Sequence, residues 1–477
     1  MKKQWNIWSC VIVLGVASVG SMIQAKTVFE EVSAEMKMEL SSGTASWADF
    51  DNDGWVDLNA GGVLWKNDQG KGFTKVAEKE PGVFGDFDND GFPDLFAYGN
   101  QRLYRNKAGQ EFVEVALPEF DKVPSLGACW GDMNNDGFLD LYVGGYEDWG
   151  NQVTFPDRVF LNENGKSFAI AWSDARYRAR GVMACDFDRD NDLDIYVSNY
   201  RLQPNVLWVN DGSGNLQDVT KAFNALATSE GFDGGHAIGS AWGDFDNDGQ
   251  IDIFAGNFAH RDGRGDQPKS RFLRNLGPEK KFVFEDRGTC GVFYQESYAS
   301  PAAGDYDNDG DLDLFFTAVY ASASFGVANY PVLFRNDGDW TFTDVSEAAG
   351  VAKLGATYQA AWADFDNDGQ LDLIGSGKLF RNKGNKNQWI KIRLEGDGKK
   401  INRDAIGAQV RITLKDRTLS RQVEAGTGQG NQNSPILHVG LGSHAGTVTL
   451  EIAWPDGKKQ NVKKVKTNEL VKVRYSP

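Results

Sequence analysis

Basic residues, histidine, cysteine and long apolar runs are scarce in this chain, and each scarcity removes a class of function. Fifty Lys and Arg face 67 Asp and Glu over 477 residues, a formal net charge of −17. Such a surface repels nucleic-acid phosphates and anionic lipid headgroups. Histidine occurs four times, as His236, His260, His438 and His444, without metal-ligand spacing. No GxSxG, P-loop or dinucleotide-binding glycine pattern is found, so no catalytic residues are assigned. Beyond residue 25 no run is apolar enough to span a bilayer, and stretches of helical period are hard to find.

The exception stands at the start. Lys2 and Lys3, an apolar run from Cys10 to Ile23, and Ile23-Gln24-Ala25 before Lys26 predict a secretory signal over residues 1–25. The chain is therefore expected in the periplasm or outside the cell. Cleavage leaves Cys129, Cys185 and Cys290, an odd number that describes no disulfide framework. Cys129 stands where Ala241 and Ala361 stand in related segments, so the cysteines read as small core residues.

Glycine is abundant, at 55 residues, and aromatics make 12%. Many turns with many aromatics indicate an all-β chain. An internal repeat then fixes the architecture. The pattern D-x-D-x-D-G-x-x-D occurs seven times. Its copies are Asp49, Asp51, Asp53, Asp57; Asp86, Asp88, Asp90, Asp94; and Asp132, Asn134, Asp136, Asp140. The fourth is Asp186, Asp188, Asp190, Asp194, with Asn191 in place of glycine. The last three are Asp244, Asp246, Asp248, Asp252; Asp305, Asp307, Asp309, Asp313; and Asp364, Asp366, Asp368, Asp372.

After each loop comes a second element: LWKN at Leu64, LYRN at Leu103, VFLN at Val159, LWVN at Leu207, FLRN at Phe272, and LFRN at Leu333 and Leu379. A Phe-centred strand such as Phe73-Thr74-Lys75-Val76 usually follows. Four short strands per unit make a propeller blade, and stacked blades bury what one blade cannot. The expectation is a seven-bladed β-propeller over residues 26–385, followed by a small all-β domain over 386–477. The seventh unit lacks its Phe-centred strand, and Phe29-Glu30-Glu31-Val32 is a spare one. Residues 26–33 are expected to close the ring as the outer strand of blade seven.

The loops predict calcium, up to seven ions. Carboxylates at positions 1, 3 and 5 curl around a hard cation, glycine at 6 allows the turn, and a position-7 carbonyl and position-9 carboxylate complete the oxygen shell. An oxygen-only set disfavours zinc and copper, and magnesium demands a stricter octahedron. The flanks are strands and no Glu stands at position 12, which excludes an EF-hand. Loss of Lys2 and Lys3 takes the charge to −19; seven Ca²⁺ bring it to −5. Structural calcium is favoured over sensing, and Asn134 marks the third loop as the weakest.

These repeats resemble the FG-GAP/VCBS repeats of integrin α-chain propellers. Beyond Asn387, the segments Asn402-Arg403-Asp404-Ala405-Ile406-Gly407-Ala408, His438-Val439-Gly440-Leu441-Gly442 and Trp454-Pro455-Asp456-Gly457 resemble the ASPIC/UnbV domain. Together they resemble the cartilage acidic protein 1 family, in a bacterial form without the cysteine-rich EGF-like tail of vertebrate members. Asn402 and Arg403 either recognise an anionic group or brace the module, and His438 reads as structural. Arg264-Gly265-Asp266 lies in a polar insertion from Asn257 to Lys269, read as a flexible loop rather than an integrin ligand. That insertion and Asn199-Tyr200-Arg201-Leu202-Gln203-Pro204 are candidate binding loops. The functional expectation is a secreted binding protein for a glycan or protein partner. The alternative is an exported lyase or cyclase, to be marked by a pocket of convergent polar side chains away from the acidic loops.

Overall fold

The computed structural model describes residues 28–118, 123–262, 265–322 and 324–476. The expected signal, residues 1–25, lies outside them. Seven four-stranded antiparallel sheets follow one another along the chain. The first consists of Ala45–Ala48, Asp57–Ala60, Val63–Asn67 and Phe73–Glu78. In each sheet the acidic loop joins the first strand to the second. The first strands touch one another in a closed circle, so they are the innermost and the sheets are blades.

The seventh blade contains Ala360–Ala363, Asp372–Gly375 and Lys378–Asn382. Its fourth strand is Phe29–Glu31, with Phe29 opposite Asn382 and Glu31 opposite Phe380. This early strand thus completes a blade made by residues more than 300 positions away.

A repeated aromatic contact explains why that strand carries Phe29. The position-2 side chain of one acidic loop packs on the outer-strand Phe of the next blade. Phe50 meets Phe112 at 5.6 Å between ring centroids, Phe87 meets Phe168 at 5.6 Å, and Phe187 meets Phe284 at 5.5 Å. Phe245 meets Phe342 at 6.2 Å, Tyr306 meets Phe29 at 5.7 Å, and Phe365 returns to Phe73 at 5.8 Å. Each such pair contributes about 0.5–1.5 kcal/mol beyond its area burial.

The C-terminal module has two sheets. One orders Leu437–Gly442, Gln388–Glu395 and Leu470–Arg474, the last pair parallel. The other orders Thr418–Gln422, Gln409–Thr413, Thr447–Ala453 and Lys459–Lys466. Alternating Val410, Ile412, Leu450 and Ile452 are buried between them.

Residues 422–434, between two strands of the module, run through the centre of the ring. There they hydrogen-bond the innermost strands or their immediate flanks in all seven blades. Gln432 exchanges backbone bonds with Ala45 and Trp47, and its side-chain amide bonds both the N–H and the carbonyl of Phe84. The Ala425 carbonyl accepts from Trp130 N–H, and Gln422 Nε2 donates to the Ala184 carbonyl. Gly428 N–H donates to Ser240, Gln429 N–H to Ser300 Oγ, and Asn431 Nδ2 to the Tyr358 carbonyl. Inner strands have no neighbour on their axial edge; this segment supplies one.

Candidate metal centres

All seven acidic loops lie at one face of the ring. Within each, the position-1 carboxylate accepts the backbone N–H of position 6: Gly54 to Asp49 at 3.1 Å, Gly91 to Asp86 at 2.7 Å, Gly310 to Asp305 at 2.9 Å. The position-6 glycines have φ between +84° and +99°. Asn191 takes the same role in the fourth loop, at φ 78°. Asparagine tolerates that left-handed region better than most side chains.

Three of the four predicted ligand residues converge in each of five loops. Single carboxylate oxygens of Asp49, Asp51 and Asp53 lie within 4.8 Å of one another. So do those of Asp86, Asp88 and Asp90; of Asp186, Asp188 and Asp194; of Asp244, Asp246 and Asp248; and of Asp305, Asp307 and Asp313. Asp49 Oδ1, Asp186 Oδ1, Asp194 Oδ2, Asp244 Oδ1, Asp307 Oδ1 and Asp366 Oδ1 are buried without a hydrogen-bond partner. Such orphaned oxygens are costly to bury. Burial, reinforced by the neighbouring carboxylates, pushes Asp57 up to about 9, Asp86 and Asp305 to about 8, and Asp309 and Asp368 to about 7. Oxygen-only donors, orphaned and crowded with like charge, fit a hard divalent cation. In the third loop Asn134 Nδ2 donates to Asp136 at 3.1 Å.

The ninth position has a role that spacing did not reveal. Asp57 Oδ2 accepts Phe50 N–H and its Oδ1 accepts Asn67 N–H, at 3.0 and 2.8 Å. The same pair of bonds recurs at Asp94, Asp140, Asp252, Asp313 and Asp372. This aspartate therefore pins the third strand to the loop.

The asparagine ending each L-x-x-N segment is a residue that sequence reasoning missed. Asn275 Nδ2 donates to the Ile251 carbonyl in its own blade and to the Phe187 carbonyl in the preceding one, while Oδ1 accepts Gly277 N–H. Asn67 closes the circle by reaching the Phe365 carbonyl of blade seven. Position 4 staples in the opposite direction: Asn89 Nδ2 reaches the Gly137 carbonyl and Asn367 reaches that of Gly54. The cations of the L-x-K/R-N segments were missed too. Lys66, Arg105, Arg274 and Arg381 pair with the position-3 residues Asp51, Asp88, Asp246 and Asp366.

The module sits directly on these loops. Arg393 Nη1 donates to Asp49 at 2.7 Å, Lys391 Nζ to Asp364 at 2.6 Å, Ser420 N–H to Asp244 and Gly440 N–H to Asp305, each at 2.9 Å. Asp404 accepts Asp86 N–H at 2.7 Å, and Gln422 accepts Asp186 N–H at 3.1 Å. Position-1 residues of six loops thus touch the module. Asn402 bonds both backbone groups of Ile406 within the module, so it braces. Arg403 donates its N–H to Asn89. His438 Nε2 lies 3.1 Å from the Gly369 carbonyl, a structural bond between the domains.

Cys129 and Cys185 are buried and free, and Cys290 is half-buried. Within the blade-five insertion, Arg261–Asp262 pairs with Gly265–Asp266 in a short hairpin. Arg264, of the Arg-Gly-Asp triplet, lies outside the described residues. No helix is long and apolar enough to cross a membrane among the described residues.

Comparison with known proteins agrees with this architecture. The model for "ASPIC and UnbV" matches residues 398–477, and that for "FG-GAP-like repeat" matches 86–143, 186–255 and 319–375. Cartilage acidic protein 1 of Mus musculus is 28% identical over 321 residues, 63% of this chain and 46% of its own length. The Homo sapiens protein is 28% identical over 315 residues, covering 62% and 44%, and the Xenopus tropicalis protein 29% over 310 residues, covering 62% and 45%. The chain spans less than half the length of these curated relatives. A solved Agrocybe aegerita lectin superposes with a TM-score of 0.41 at 16% identity, covering 72% of this chain and 91% of the lectin. The chain is a propeller of FG-GAP-like repeats joined to an ASPIC and UnbV domain, homologous to cartilage acidic protein 1.

Proposed function

We propose that this chain is an exported, calcium-stapled binding protein whose glycan or protein partner docks on the propeller face opposite the module. The observation that carries this reading is the occupation of the rest of the propeller. The loop face is covered by the module, and the channel is filled by residues 422–434. The opposite face carries exposed aromatics instead: Trp149 is 55% and Tyr320 56% exposed. In each loop the four predicted ligand positions, Asp49, Asp51, Asp53 and Asp57 in the first, would hold calcium and keep the corner of the blade rigid. A rigid ring presenting loops from several blades suits recognition.

Among the described residues, a cavity of about 100 Å³ between propeller and module is a candidate for the enzyme alternative. Arg421, Ser420, Glu424 and His438 line it. It is well below the ~300 Å³ of ordinary small-molecule pockets. Buried Arg421 Nε, Ser420 Oγ and His438 Nδ1 around it suit a few ordered waters better than a substrate.

The test is an array of glycans and envelope proteins probed with calcium-loaded protein and with a Trp149→Ala, Tyr320→Ala variant. Binding lost in the variant, at an unchanged melting temperature, supports the open face. Binding that is equal in both assigns recognition elsewhere and overturns it.

A further inference from the structure

The innermost strands of blades four, five and six are longer than the others. They run Ala179–Cys185, His236–Gly243 and Tyr298–Gly304, of seven, eight and seven residues, against three or four in the remaining blades. Their extra residues lie at the start of each strand, away from the acidic loops, and raise a rim on the open face. Arg180 stands on that rim. Its guanidinium carbon is 4.9 Å from the Tyr200 ring centre, 5.5 Å from Tyr146 and 5.6 Å from Tyr358. Nη2 donates to Tyr358 Oη at 3.2 Å. Tyr358 belongs to blade seven, so the arginine of blade four reaches across the channel mouth.

Two neighbouring arginines share one carboxylate. Arg178 and Arg201 both pair with buried Glu147, at 2.8 and 2.9 Å, and Arg201 stacks 3.9 Å over exposed Trp149. Arg180 differs. Among the described residues it pairs with no carboxylate, and its Nε is buried without an acceptor. A cation left so in a chain of net charge −17 is not there for want of acids. The site has a floor: a Cβ on Gly181 would fall 2.3 Å from the Gly428 carbonyl at the tip of the channel segment. A ligand can rest on the mouth but cannot pass through.

We propose that Arg180, with Tyr146, Tyr200, Tyr358 and Trp149, forms a site for a carboxylate-bearing sugar of an acidic glycan. This deepens the binding reading above and rests on it. A guanidinium fork matches a carboxylate in two parallel hydrogen bonds, and rings beside it suit the apolar faces of a sugar. Neutral sugars would use the rings and offer Arg180 no anionic partner. The site thus discriminates by charge, and its affinity falls as salt rises.

The experiment is calorimetric titration of calcium-loaded protein with oligogalacturonate, with its fully methyl-esterified form, and with a sulfated oligosaccharide. The acid form is expected to bind about tenfold or more tightly than the ester. Arg180→Gln is expected to remove that preference while melting temperature and calcium content stay unchanged. Trp149→Ala, at an exposed position, is expected to weaken both forms, which keeps the test valid if Arg180→Gln fails to fold. Equal binding of acid and ester, preference for the sulfate, or an undiminished preference in Arg180→Gln overturns the proposal. If a neutral glycan or an acidic protein binds this face instead, the binding reading survives and the carboxylate site does not. If nothing binds the face, both fall.

Discussion

The asparagine ending each L-x-x-N segment and the aspartate at position 9 act as one unit, holding a loop, a third strand and a neighbouring blade together. Replacing Asn275 with Ala strands the Phe187 and Ile251 carbonyls and the Gly277 N–H. The expected destabilisation is about 3–5 kcal/mol, read from denaturant unfolding. An effect below about 1 kcal/mol would show that water replaces the staple. The loop carboxylates make a second prediction. Burial raises Asp132 and Asp186 to about 7 and Asp305 to about 8, from 3.8. A carboxylate raised on folding binds its proton more tightly in the native state, so its contribution falls as pH rises from the unfolded value through the folded one. Metal-stripped protein is therefore expected to melt higher at pH 5 than at pH 8, and calcium-saturated protein to show the reverse. Parallel trends would mean that the ion does not answer these carboxylates. Sequence displayed the seven asparagines but not their purpose, because their partners are backbone carbonyls, which carry no side-chain signature. The carboxylates were legible because their spacing recurs seven times along the chain.

At the scale of elements, two segments close the ring. Phe29, 2% exposed, packs on Tyr306 and on Trp362, 6.2 Å away. Deleting residues 26–33 is expected to lower the melting temperature sharply, and Phe29→Ala alone to cost about 3–5 kcal/mol. An unchanged melt would contradict closure by this strand. That segment was legible because the Phe-centred strand occurs in other repeats and is missing from the seventh. The channel segment was not. Its run of Gly, Gln and Asn reads as an ordinary loop, and its partners are the backbone edges and flanks of seven strands distant in sequence. Gln432→Ala removes both bonds to Phe84. Limited proteolysis is expected to separate module from propeller faster in this variant; an unaltered cleavage rate would assign the segment no part in holding them together.

For the whole molecule, the consequence is that the acidic loops and domain docking are linked. Position-1 aspartates are shared between the loops and Arg393, Lys391, Ser420 and Gly440 of the module. The alternation of buried and exposed residues made the module legible as a β domain, but nothing in either half announced that one would cover the other's loops. The most direct test of the account is elemental analysis and native mass spectrometry of the protein purified in calcium, followed by melting before and after chelation. Several calcium ions per chain, up to seven, are expected, with a marked fall in melting temperature on their removal. A folded protein that carries no calcium, and melts unchanged with chelator, would contradict it.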